Sequence, residues 1–82
     1  MKRIYIGNLS FNTDENALRS SFEQFGEVES VSIIMDKNTG KSKGFGFVEM
    51  PEDEEALKAI EGLNGKLLDG RKVRVNVAEN RR

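Results

Sequence analysis

The chain has 82 residues, 37% hydrophobic and 33% charged, with a net charge of −1 and neither cysteine nor histidine. That length and mixture suit one folded domain with a single modest core rather than a disordered segment, and the missing residue types exclude disulfides, thiolate metal sites and the commonest general base. No apolar run approaches the ~18–20 residues of a membrane helix, and the first residues lack the apolar stretch of a secretory leader, so the expected setting is cytoplasmic, or nuclear in a eukaryote, with no membrane contact.

In chain order, Arg3-Ile4-Tyr5-Ile6-Gly7-Asn8-Leu9 reads as a strand that puts Ile4 and Ile6 on one face and Arg3, Tyr5 and Gly7 on the other. Ser10-Phe11-Asn12-Thr13 follows as a loop, with Thr13 the expected N-cap and Asp14 and Glu15 placed to favour the helix dipole. Ala17, Leu18, Ser21, Phe22 and Phe25 recur at helical spacing, which predicts a helix over about residues 14–25 stopped by Gly26. Phe11, Phe22 and Phe25 are all expected in the core.

Glu29 to Met35 is rich in β-branched residues and predicts a second strand, with Val31, Ile33 and Met35 inward and Ser32 and Ile34 outward. Residues 36–42 have the polar composition of a hairpin loop leading into Lys43-Gly44-Phe45-Gly46-Phe47-Val48-Glu49-Met50. In that third strand Lys43, Phe45, Phe47 and Glu49 share a face. An unpaired buried charge costs several kcal/mol, of the order that decides burial, so Lys43 and Glu49 take the wet side and carry both phenylalanines with them. Gly44 and Gly46 then fall on the inner side, where close packing of a helix is expected.

Pro51 stands where a second helix begins; Ala56, Leu57, Ile60 and Leu63 form its apolar stripe and Gly62 its stop. Asn64-Gly65 and Asp69-Gly70 turn the chain on either side of a short extended piece, Lys66-Leu67-Leu68. A last strand points Val73, Val75 and Val77 inward and Lys72, Arg74, Asn76 and Ala78 outward. The order strand-helix-strand-strand-helix-strand is α+β, the ferredoxin-like split βαβ plan.

If the first and third strands lie side by side, Tyr5, Phe45 and Phe47 form one exposed aromatic platform, which needs a ligand with flat faces. Charge is segregated around it. Glu49, Glu52, Asp53, Glu54, Glu55 and Glu61 face the single base Lys58 in the second helical region, while Arg71, Lys72, Arg74, Arg81 and Arg82 face only Glu79 near the end. Lys2 and Arg3 flank Tyr5. Such a field attracts phosphate even when the sum is slightly negative.

These residues carry a resemblance. Lys43 through Val48 match the octamer Lys/Arg-Gly-Phe/Tyr-Gly/Ala-Phe-Val-x-Phe/Tyr of the RNA recognition motif family at every position, and only Met50 departs, at an inward place. Ile4-Tyr5-Ile6-Gly7-Asn8-Leu9 resembles the companion hexamer, and the likeness runs from about Lys2 to Ala78. The chain is most similar to single-domain bacterial, cyanobacterial and plant members of the glycine-rich type, without their glycine-rich tail. The resemblance implies one domain over residues 1–82, with a core over about 2–78 and a basic end at 79–82. It implies a four-stranded antiparallel sheet with two helices behind it and single-stranded RNA across the open face.

Carried over position by position, Tyr5 and Phe45 would each stack a base, Phe47 would pack against sugars between them, and Lys43 would meet a phosphate. Asn76, Ala78, Glu79 and Asn80 would read base edges, with Lys72, Arg74, Arg3 and Ser32 bordering the same surface. The resemblance implies a monomeric binding module with no cofactor, no metal and no chemistry of its own, and leaves single-stranded DNA open as a second ligand. RNA chaperoning or post-transcriptional regulation is the wider role it suggests. The rival reading is a protein-interaction domain on the same fold; relatives of that kind usually lose aromatics from the two motifs, and this chain keeps all three.

Overall fold

Alternation of apolar and polar residues in the first strand is realised in full. In a computed structural model, which describes residues 2–35, 38–39 and 42–78 apart from the side chains of Met35, Ser42 and Lys43, β1 (Lys2–Gly7) buries Ile4 and Ile6 completely and leaves Arg3 in solvent. It pairs antiparallel with β3 (Ser42–Met50) on one side and β6 (Arg74–Val77) on the other, while β2 (Ser30–Met35) pairs with the far side of β3. The sheet order is therefore β2-β3-β1-β6. Two helices, α1 (Glu15–Glu23) and α2 (Asp53–Leu63), complete the split βαβ plan.

One face of the sheet is sealed by the helices. Leu18 and Phe22 from α1, Ala56 and Ala59 from α2, and Ile4, Ile6, Ile33, Val48, Met50 and Val75 from the strands form one core, with Phe25, Ile60 and Leu63 packed against it. Met50, the position that departs from the octamer, is fully buried as its parity requires. The other face carries Arg3, Tyr5, Ser32, Phe45, Phe47, Glu49, Arg74 and Asn76, and among the described residues no helix lies over it.

The departures from expectation have local causes. Asp14, not Thr13, caps α1: its backbone is extended and its Oδ1 accepts from the Ala17 amide at 2.8 Å. Thr13 is buried one residue earlier, its hydroxyl donating to Asp69 Oδ2 at 2.7 Å. Helix α1 stops at Glu23, short of Gly26, and Gly62 lies inside α2 rather than ending it. Both glycines are sites of close packing. A Cβ on Gly62 would stand 2.5 Å from the Phe25 ring, and one on Gly26 would overlap the Glu55 side chain.

In α2 the buried stripe runs through Ala56 and Ala59, with Ile60 and Leu63 beside it; Leu57 is rotated out and 46% exposed, because 56, 59, 60 and 63 already complete one helical face. The last strand is divided. Leu67–Leu68 (β4) and Arg71–Lys72 (β5) make a separate two-stranded hairpin whose turn, Asp69-Gly70, has φ of 52° and 84°, as a type I′ turn demands. Val77 shares the inward parity of Val73 and Val75, yet it is 42% exposed at the end of an edge strand.

Gly44 and Gly46 serve the strands rather than a helix. Gly44 has φ 88°, a left-handed backbone, and its carbonyl accepts from the Leu9 amide at 2.8 Å. A Cβ on Gly46 would run into the Ser32 carbonyl and come 3.2 Å from Ile33 Cα, beside the register shift between Ile33 and Met35.

Candidate nucleic-acid interface

Strand register assembles the open face in rows. Tyr5 pairs with Phe47 and with Asn76, and Phe47 pairs with Ser32, so one line of side chains crosses all four strands as Ser32, Phe47, Tyr5, Asn76. A second row sets Phe45 and Arg74 on either side of Gly7. A third sets Glu49 opposite Arg3, with Ser30 Oγ donating to Glu49 Oε1 at 2.8 Å. The Ala78 amide donates to the Arg3 carbonyl at 2.8 Å and closes that row at the far edge.

The three rings expected to share a face do so. Their centroids lie 5.9 to 6.2 Å apart: Phe47 stands edge-on to both of the others, and Tyr5 and Phe45 are inclined to each other by 32°. Each ring is half-buried, because its neighbours cover its edges. Separations of this size fall in the attractive range for aromatic pairs, so the rings brace one another before any ligand arrives. Arg3 lies over the Phe47 face with its guanidinium carbon 4.3 Å from the centroid. Gly7 provides the floor: a Cβ there would meet the Tyr5 hydroxyl at 2.7 Å, so the ring can lie back over the strand only because that position has no side chain.

Arg3, Ser32, Arg74 and Asn76 thus join the rings on one surface, and Ala78 reaches its edge. Lys72 does not belong to the sheet. It sits in β5, exposed, and its carbonyl accepts from Asn8 Nδ2 at 2.6 Å. The Lys43 side chain, Glu79 and Asn80 lie outside the described residues. Among the described residues no group of three or more acidic side chains is placed to hold a metal ion, and no helix is long and apolar enough to cross a membrane.

Two side chains near the rings were not anticipated. Phe11, expected in the core, is 69% exposed. It lines a concavity of ≈ 320 Å³ with Tyr5, Asn8, Phe45 and Arg71. Its loop has no periodicity to read, but its polar neighbours Ser10, Asn12 and Thr13 were a signal that it need not be buried. In the sequence Arg71 carries no signal beyond its place in the basic run near the end.

Comparison with known proteins agrees with the geometry. The family model described as RNA recognition motif matches residues 4–74. The chain belongs to the RNA recognition motif family. It is 48% identical over 79 residues to a 28 kDa chloroplastic ribonucleoprotein of Spinacia oleracea, covering 96% of this chain and 34% of that protein. It is 47% identical over the same length to the glycine-rich RNA-binding protein GRP2A of Sinapis alba, covering 96% of this chain and 47% of that one. The chain therefore spans between a third and a half of these curated relatives. Among solved structures, the crystal structure of RNA binding protein PG1 superposes with a TM-score of 0.94 at 41% identity, covering 100% of this chain and 99% of the other. The second RRM domain of yeast poly(U)-binding protein gives 0.88 at 32%, with the same coverage.

Proposed function

We propose that this RNA recognition motif domain binds single-stranded RNA as a monomer, with bases stacked on Tyr5 and Phe45 and a sugar against Phe47. The observation that carries the reading is the cluster of three half-exposed rings on a sheet face that no helix among the described residues covers. Nucleobases have flat faces on both sides and are sequence-tolerant partners for such rings. Arg3 and Arg74 supply positive charge within the same surface; Ser32 and Asn76 offer hydrogen bonds to base edges at its two ends. Lys43, Lys72, Ala78, Glu79 and Asn80 complete the proposed contact set by their place in the sequence. Relatives whose names denote RNA-binding proteins and ribonucleoproteins support the same ligand class.

Each stacked base contributes about 1–3 kcal/mol, so two or three give roughly 2–9 kcal/mol gross before ordering costs. With about −8 kcal/mol corresponding to a micromolar Kd, short RNAs bind at micromolar concentrations or above. The test is a titration of short mixed-sequence RNAs by chemical-shift mapping against wild type and Phe45→Ala. Shifts centred on β1 and β3, and a loss of about 5- to 150-fold in the variant, support the reading. Binding that is absent, or unchanged by the substitution, overturns it. A protein-interaction role finds less support, since all three rings are present and no helix among the described residues covers them; an association that survives ribonuclease treatment would favour it.

A further inference from the structure

The geometry points to a further nucleobase subsite beyond the sheet, formed by Phe11 and Arg71 against the outer edge of Phe45. The inference rests on the RNA-binding reading above and extends the proposed contact surface to the loop after β1 and the β4-β5 hairpin.

Phe11 is the most unusual apolar residue near the rings, 69% exposed although its two flanking segments are fixed. Ser10 and Thr13 are both buried. The Asn12 amide donates to Ser10 Oγ at 3.1 Å and the Thr13 amide to the Ser10 carbonyl at 3.1 Å, so the ring is presented from the tip of a closed turn. The Leu9 amide donates to the Gly44 carbonyl at 2.8 Å, which ties the start of this loop to the strand that carries Phe45. Two more bonds lock it to the hairpin: Thr13 Oγ1 to Asp69 Oδ2 at 2.7 Å, and Asn8 Nδ2 to the Lys72 carbonyl at 2.6 Å. Asn8 holds a left-handed backbone, φ 60°, to make its bonds.

Between these elements lies the ≈ 320 Å³ concavity, continuous with the platform because Tyr5 and Phe45 form its inner wall. Arg71 stands on the opposite rim, its Nη2 donating to Asn8 Oδ1 at 2.6 Å. That bond uses one of the five guanidinium N–H groups and tethers the fork beside the concavity, leaving the others for a phosphate or for the acceptor edge of a base. An exposed aromatic face, a tethered cation and a wall shared with the platform are what a stacked nucleotide requires. A strand lying on Phe45 therefore continues over Phe11.

The experiment compares wild type, Phe11→Ala, Phe11→Tyr and Phe45→Ala, each titrated with a dinucleotide and with a mixed-sequence hexanucleotide. The dinucleotide occupies only the platform. Phe11→Ala should bind it as wild type does and lose about 5- to 150-fold for the hexanucleotide, the range for one stacked base; Phe11→Tyr should restore hexanucleotide binding to within about threefold. Hexanucleotide affinity unchanged in Phe11→Ala, an equal loss for both ligands, or a failure of Phe11→Tyr to restore binding would each overturn the subsite. If Phe45→Ala weakens both RNAs while Phe11→Ala weakens neither, the platform stands and the subsite falls; if wild type binds no RNA, both fall.

Discussion

Gly7 and Gly46 lie on opposite faces of the sheet and separate binding from folding. An Ala at position 7 would press on the end of the Tyr5 side chain, which can swing away. Gly7→Ala should therefore weaken RNA binding severalfold by tilting the ring, while the melting temperature stays within a few degrees; a titration and a thermal scan on the same sample check both. An Ala at position 46 would press on the backbone of β2 at Ser32, which cannot yield without breaking the ladder. Gly46→Ala should cost about 1–3 kcal/mol, the range for overpacking, and lower the melting temperature accordingly. Tyr5→Phe keeps the stacking face and should stay within about twofold of wild type, whereas Tyr5→Ala should lose about tenfold.

Among the secondary elements, α1 depends on Asp14, whose carboxylate caps the Ala17 amide, with Glu15 adding to the favourable charge in the first turn. Asp14→Ala should destabilise by about 1 kcal/mol, seen as a melting point roughly 4–8 °C lower for a domain of this size, and Asp14→Asn should recover most of it. The sequence made the element order, the inward and outward sides of β1 and β3, and the three rings legible, because alternation in a strand leaves little freedom once Lys43 and Glu49 must stay wet. It could not distinguish Thr13 from Asp14 as the cap, since both are good capping residues and only the hydrogen bond from Thr13 to Asp69, 56 residues away, decides between them. Long-range contacts of that kind also account for Gly26 and Gly62: each looks like a helix stop in the sequence, and each is instead small because another helix's neighbourhood presses on it. Phe11 escaped for the complementary reason, since a loop residue has no period to betray which way it faces.

At the scale of the molecule, the slab of 36 × 32 × 18 Å has two chemically different sides. Rings and the cations Arg3 and Arg74 occupy the open face of the sheet, while the exposed acids Glu15, Glu23, Glu52, Asp53, Glu54 and Glu61 lie on or beside the helices behind it. With few cations on the binding side, association should depend only moderately on salt. Neutralising two to four phosphates of a single strand gives a slope of log K against log salt of about −1.5 to −3, and a slope near zero would mean that Arg3 and Arg74 meet no phosphate. The helix side has a further effect once RNA is in excess. A polyanion drawn to one side of a thin plate and repelled from the other cannot bridge two plates back to back, so each molecule fills once and then presents a like-charged exterior to the next. Mixtures at high RNA ratio should remain clear, with scattering no greater than that of the separate components.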